Sequence, residues 1–541
     1  MNNLGHVYQR QGQLENALAC YQQSLVIWRY LHGDKPDLNI AINLNNQSLI
    51  YLAQKQQEEA IQCIQQSMAM YKQIYGEKPH PNMAFFINNL GLIYHECRRL
   101  EEAVECHQKA LAMHRQLYND RPHPNIALSL FNLGAAYRGQ NKLKEAIEYH
   151  QQSLDMYKQV SNDKPHSDIA RSLATLGSAY KDHGWLEKAS ECFQLCLAMR
   201  EQLNGGKPHL DIAMAMINLG AIYHAQNELE EATQYLEQST AMYRQLYNDK
   251  PHSDIALSLN NLGAVYKDHG RLEKASECFQ HCLEMRKQLQ GGKPHLDIAH
   301  VLNNLGAVYR EQDKFEEAVQ WLEQSLAMFK QIYLDEPHLM IAIVLNNLGD
   351  TYQTQNRLEE ANQYLEQSLA MFKQIYGEKP HPGISSCMNN LGLVCLDQNR
   401  LEEAAKYLEE SLVMYGQICK GEPHPNLATS LHTLGLVYRA QEKFIEAVES
   451  FRSSLSMNIK LYNNKPHPSI ANSLNEIGVV YCSQGRFLEA IESFQCSLMV
   501  NIELYEDESH PTVKDSLYNL EEAKQALIND FLIKAILDKE S

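Results

Sequence analysis

The chain has 541 residues, 44% hydrophobic and 21% charged, so it holds enough apolar material for a core and is not a disordered acidic tail. Its formal net charge of −18 argues against a nucleic-acid backbone as partner, since phosphate binding rests on clustered Lys and Arg. The 13 cysteines, odd in number and scattered, predict a reducing cytoplasmic setting; no apolar run is long enough to span a bilayer, so no membrane partner is expected.

The chain opens on "MNNLGHVYQRQGQ", without the basic start and apolar stretch of a secretion signal. Its Leu4-Gly5 and Tyr8 recur downstream at fixed distances, so this start reads as a truncated first copy of a repeated unit. Prolines at Pro36, Pro79, Pro122 and on to Pro466 stand 43 residues apart without an insertion. The same ruler places glycine at Gly5, Gly91, Gly134 and every later copy through Gly478, with Ser48 the one exception. Alanine stands twelve residues after that slot in all twelve copies, Ala17 to Ala490, and tyrosine three after it in all but Cys395. A strict period of this length marks a solenoid.

Each copy predicts two helices. In residues 122–140, Ile126, Ala127, Leu130, Leu133, Gly134 and Tyr137 recur at helical steps, which gives an amphipathic first helix. A turn follows, with Gly, Asn or Asp at nine of twelve equivalent positions, residues that tolerate a left-handed backbone. Residues 142–160 then supply Leu143, Ala146, Ile147, Tyr149, Leu154 and Tyr157 for a longer second helix. The small Gly134 and Ala146 predict a close helix contact.

Histidine follows the joint residue in eleven copies, from His80 to His510, with Asp37 the exception. Ligands of one metal ion must converge to about 2.0–2.1 Å for nitrogen. One histidine per joint, separated by a whole helix pair, cannot do that. The expected role is a boundary device, with proline in the first turn and histidine at or near the helix N-cap. Cys192/Cys196 and Cys278/Cys282 share helix faces, but they lie in two near-identical copies and read as core packing rather than metal ligands. Asn46-Gln47-Ser48 matches a glycosylation sequon inside a predicted helix and is discounted. Acidic pairs such as Glu101/Glu102, Glu230/Glu231 and Glu402/Glu403 sit at second-helix starts, where they suit the helix dipole. No catalytic or nucleotide-binding motif is present, so no enzyme activity, cofactor or metal is expected.

Leu133-Gly134, Tyr137, Ala146, Tyr149 and their counterparts resemble the tetratricopeptide repeat over residues 1 to about 527. The 43-residue unit, "NNLG" in the first helix and "HP" before it resemble the kinesin light chain and nephrocystin type. The resemblance implies an all-α, right-handed solenoid: twelve helix pairs over residues 1–511, the first truncated, and a C-terminal capping helix over 512–541. The heptad segment that precedes the repeats of kinesin light chains has no counterpart here.

In that family the first helices line a concave groove. Two residues before the glycine slot stand Asn89, Asn132, Asn218, Asn261, Asn304, Asn347 and Asn390, an amide ladder able to pair with an extended peptide backbone. The alternative is that these amides bond to neighbouring helices or face water. Small Ala135, Ser178, Ala221, Ala264 and Ala307 follow the glycine and predict an open floor. Arg138, Lys181, Lys267 and Arg310 form a broken basic row, which by the resemblance would attract acidic peptide motifs, though Asp182, Asp268 and Glu311 weaken its field. The expected function is a scaffold for protein or peptide ligands. The other reading is a structural or self-associating rod. Oligomeric state and partner identity are not encoded in these patterns.

Overall fold

A computed structural model describes residues 1–33, 35–76, 78–377, 379–505 and 510–540, the side chains of 533–540 excepted. Among the described residues there are 25 helices and no strand. Among them, eleven first-helix and second-helix couples pack as antiparallel pairs, and a last helix, Pro511–Glu540, follows. A typical pair joins a 16-residue first helix, such as Pro81–Glu96, to a 19-residue second helix, such as Leu100–Tyr118.

The joints show why these residues start helices where they do. Every joint histidine sits at an N-cap; His80 and His467, for example, have extended backbone at φ −145° and −152°. Its ring Nδ1 accepts the backbone N–H two residues on, at 3.0–3.3 Å from His80 to His510. Asp37 does the same for Asn39 at 2.8 Å. One orphan donor of each first helix is thereby satisfied, a contribution of about 0.5–2 kcal/mol per cap. In most joints where a tyrosine ends the preceding helix it stacks on this ring, with centroids 3.4 Å apart for Tyr118–His123 and 3.5 Å for Tyr333–His338 and Tyr462–His467; Tyr75 is tilted on His80 at 4.8 Å. The tyrosine and histidine are five residues apart, so each stack closes a joint onto itself.

Between the helices of a pair, the turn residue is left-handed in all twelve repeats, including Lys55, Arg98 and Glu442, which are not turn formers. Several second helices end on a left-handed residue too, Asn119, Asn162 and Asn248 among them. The two copies of "QIYGEKPHP" differ: Gly76 and Gly377 hold φ 69°, ψ −151° and φ 62°, ψ −138°, a region open essentially to glycine alone. Each borders a surface cleft, of about 430 Å³ beside Met83, Ile87 and Met113 and about 470 Å³ beside Ile384, Met388 and Met414. Glu77 and Glu378 lie outside the described residues.

Packing within a pair follows the small slots. A Cβ on Gly306 would stand 2.5 Å from Leu322 Cγ and 3.3 Å from the Ala318 carbonyl oxygen; Gly349 meets Leu365 and Ala361 in the same way. The residue sixteen beyond the glycine fills the space that the missing side chain leaves. A serine three further on donates from Oγ to a first-helix carbonyl: Ser153 to Ala127 at 2.8 Å, Ser325 to Ala299 and Ser368 to Ala342 at 2.7 Å. Cys196 takes that slot and its thiol reaches the Ala170 carbonyl at 3.2 Å. Burial raises the Cys192 thiol to about 11, so this pair stays protonated. Among the described residues no three His, Cys, Asp or Glu side chains converge as a ligand set. Asn46 of the sequon is 6% exposed in the first helix of the second repeat.

The chain divides into two compact halves, Met1–Arg271 and Leu272–Ser541. Within each, successive first helices touch one another, as Leu38–Ala53 touches Pro81–Glu96 and Leu339–Thr354 touches Pro382–Asp397. A second helix makes its main contacts with the first helices before and after it. The first-helix layer is the tighter one, and therefore the inner face of each half. No helix is long and apolar enough to cross a membrane among the described residues.

Candidate peptide-binding face

The asparagine slot lies between neighbouring first helices rather than standing clear of them. Asn89 Nδ2 donates to Asn45 Oδ1 at 2.9 Å, Asn347 to Asn303 at 2.9 Å, and Asn390 to Asn346 at 3.1 Å. The spacing is always 44: one period plus one residue, from the slot two before the glycine to the slot three before it in the preceding repeat. Asn519 repeats the bond on Asn475 at 2.9 Å. These amides tie first helix to first helix.

The ladder fails where the acceptor is taken or missing. Asn88 would receive Asn132, but its Oδ1 is held by the His107 ring at 2.6 Å, and Asn132 Nδ2 is buried without a partner. The slot that would receive Asn218 is Ala174, and the slot that would receive Asn261 is Ile217. Both asparagines are half-buried and make no side-chain hydrogen bond among the described residues. Asn304 is half-buried. The amides of Asn218 and Asn261 are thus open toward the inner face, beside half-exposed Ser178, Ala221 and Ala264.

The basic row is also partly spoken for. Arg138 Nε meets Asp182 Oδ2 at 2.6 Å, again across a 44-residue step. His224 meets Asp268 at 2.7 Å and Gln353 meets Asp397 at 2.6 Å by the same step. Burial pushes the Asp268 carboxyl upward, but the His224 hydrogen bond and Lys267, 3.1 Å away, hold it below the usual carboxylate range. Arg310 pairs with Asp350, and burial lowers the guanidinium from its ordinary value. Lys181 differs. Its 44-residue counterpart is Ala225, its side chain is exposed, and no carboxylate stands within ion-pair distance among the described residues.

Three features therefore coincide on the first helices Ser167–His183, Leu210–Ala225 and Ser253–Asp268: a free ammonium, two free amides and a floor of small residues. Half-buried Met214 and exposed Leu257 add apolar surface beside them. The sequence marked every asparagine alike; an acceptor three before the glycine that is both present and not held by another group, as Asn88 is by His107, separates bonded amides from unbonded ones. The serine nineteen beyond the glycine recurs just as plainly, but its bond to a first-helix carbonyl is legible only in the structure.

The sequence signature described as tetratricopeptide repeat matches residues 1–73, 83–159, 168–245, 254–331, 331–374, 341–417 and 385–460. No curated protein matches the chain. Among solved structures, BtubC (BKLC) from P. vanneervenii is 20% identical, with 44% of this chain and 94% of that one covered and a TM-score of 0.39. Nearly identical TPR-like repeats of the kinesin light chain kind from Podosopora anserina are 23% identical over 40% of this chain and 100% of that one, TM-score 0.34. The APC/C hetero-tetramer Cut9-Hcn1 is 14% identical over 96% and 95%, TM-score 0.41. The chain belongs to the tetratricopeptide repeat family, whose arrays are scaffolds for protein–protein interaction.

Proposed function

We propose that the protein binds an extended peptide segment along the inner face of its N-terminal half, centred on Lys181, Asn218 and Asn261. The single observation behind this reading is the pair of amides left out of the ladder. An amide that donates and accepts, half-exposed on a helix face, offers a peptide backbone both of its hydrogen-bonding groups. Lys181 favours an acidic residue in the ligand, and Met214 and Leu257 favour an apolar one next to it.

The basic row as a whole does not set this preference, because Arg138 and Arg310 are already neutralised by Asp182 and Asp350. A screen of short acidic, neutral and basic peptides against the full chain tests the point. Lys181→Glu is expected to weaken acidic peptides several-fold at low salt, with the difference shrinking as salt screens it. Equal binding of acidic peptides by the wild type and Lys181→Glu contradicts the assignment.

A further inference from the structure

In the C-terminal half, the residue twenty-three beyond the glycine is aromatic and fully buried in three successive repeats: Phe329, Phe372 and Tyr415. In the next repeat the slot holds Asn458, 5% exposed. A cavity of about 150 Å³ lies there, lined among others by Thr429, His432, Ser454, Asn458, Asn472 and Ser473. At roughly 30 Å³ per water it has room for about five waters, or one side chain.

The departures from the repeat converge at this place. The slot six before the glycine, apolar in Phe85, Leu128, Met214, Leu257 and Ile343 but polar in Arg171, His300 and Ser386, is Thr429 and then Asn472 here. The ladder acceptor slot is His432, and the donor that would reach it is Glu476, which pairs with Arg439 instead. The ladder is broken and a polar chamber takes its place. At the following repeat Asn501 also replaces an aromatic, but its amide is taken by Ser516 at 2.9 Å.

The lining is rich in both kinds of hydrogen-bonding group and carries no fixed charge. The Ser454, Ser473 and Thr429 hydroxyls donate to the Ala428, Ser469 and Pro425 carbonyls at 2.8, 2.9 and 3.1 Å, which leaves their lone pairs toward the space. Asn458 Nδ2 touches Ser454 Oγ at 3.5 Å and keeps its second N–H and its carbonyl. The His432 ring stands edge-on to Phe451, and burial, with Arg439 second, lowers it to about 4, so at neutral pH it has one donor and one acceptor.

We propose that this chamber is a specificity pocket for an uncharged carboxamide side chain, asparagine or glutamine, of a peptide lying on the inner face. The proposal rests on the reading that the first helices bind peptides. A carboxamide needs acceptors and donors together; a carboxylate or an ammonium would find no counter-charge in the lining.

The test is selection of a displayed library of random short peptides on the full chain, on Asn458→Phe and on Asn458→Ala. Asn458→Phe restores the ring of the three preceding repeats; Asn458→Ala removes the amide and cannot overfill the site. Peptides with Asn or Gln at one fixed position are expected from the wild type, and both variants should bind them about tenfold more weakly. Their Ala-substituted versions should bind all three proteins alike. No carboxamide preference in the wild type, or one that survives both variants, overturns the pocket. These carboxamide peptides should be untouched by Asn218→Ala and Asn261→Ala, which lie in the other half; a library that yields no peptide weakened by that pair contradicts the site of the preceding section instead and leaves the pocket standing.

Discussion

Histidine does two different things in this chain, and proton uptake separates them. The joint histidines need an unprotonated Nδ1 to accept a backbone N–H, and burial lowers His123, His338, His381 and His467 below the ordinary imidazole range. The interior ones are further depressed by burial: His107 to about 3, with His95 adding to it, and His150 to about 4, with Arg138 adding to it. A folded value below the unfolded one means the unfolded chain takes up more protons as pH falls. Stability is therefore complete above about pH 6.5 and is lost toward pH 4. His150 is fully buried and neither ring nitrogen has a partner. Leu236, Leu322, Leu365 and Leu408 fill the same slot in other repeats. His150→Leu should raise stability at pH 7 by about 1–3 kcal/mol, the desolvation of an unsatisfied group. Going from pH 7 to pH 5, it should widen its advantage by roughly 2 kcal/mol. Urea denaturation at the two pH values reads both; equal losses with pH in the two proteins would remove His150 from the acid response.

At the scale of the helix pair, the glycine slot was legible because sequence periodicity isolates it, and the reason it must be small is now explicit. Gly306→Ala gains about 1 kcal/mol of helix propensity but sets a methyl against Leu322 and the Ala318 carbonyl, where overpacking costs about 1–3 kcal/mol. The net change should be destabilising by up to about 2 kcal/mol. In the background of Leu322→Ala the same substitution should turn neutral or favourable, and a double-mutant cycle by thermal unfolding measures the coupling. Additive effects would mean that these two positions do not share the space. The joints were legible in the same way, since a histidine beside a proline at every boundary has few other uses. The asparagines were only half legible. Their slot is plain, but whether an amide is bonded depends on the residue three before the glycine one repeat earlier, a relation of 44 rather than 43 that no single-period reading displays. Asn89, Asn347 and Asn390 are consumed by it; Asn218 and Asn261 are spared because Ala174 and Ile217 cannot accept.

For the molecule as a whole, a regular array spends most of its polar groups on itself, and recognition is left to the places where regularity fails. The 44-residue step links amide to amide and Arg138 to Asp182, so most of the inner face is self-satisfied. Lys181, Asn218 and Asn261 are exceptions of one kind, a missing partner; the chamber at Asn458 is an exception of another, a missing ring. The most direct measurement is calorimetric titration of an acidic peptide that Lys181→Glu weakens against two double variants. Asn218→Ala with Asn261→Ala should weaken binding by about 1–3 kcal/mol, two hydrogen bonds at 0.5–1.5 kcal/mol each, and leave the melting temperature nearly unchanged. Asn347→Ala with Asn390→Ala should lower the melting temperature and leave the affinity for a peptide held in the N-terminal half intact. The reverse outcome, binding lost with the ladder pair and untouched by Asn218 and Asn261, would contradict the account.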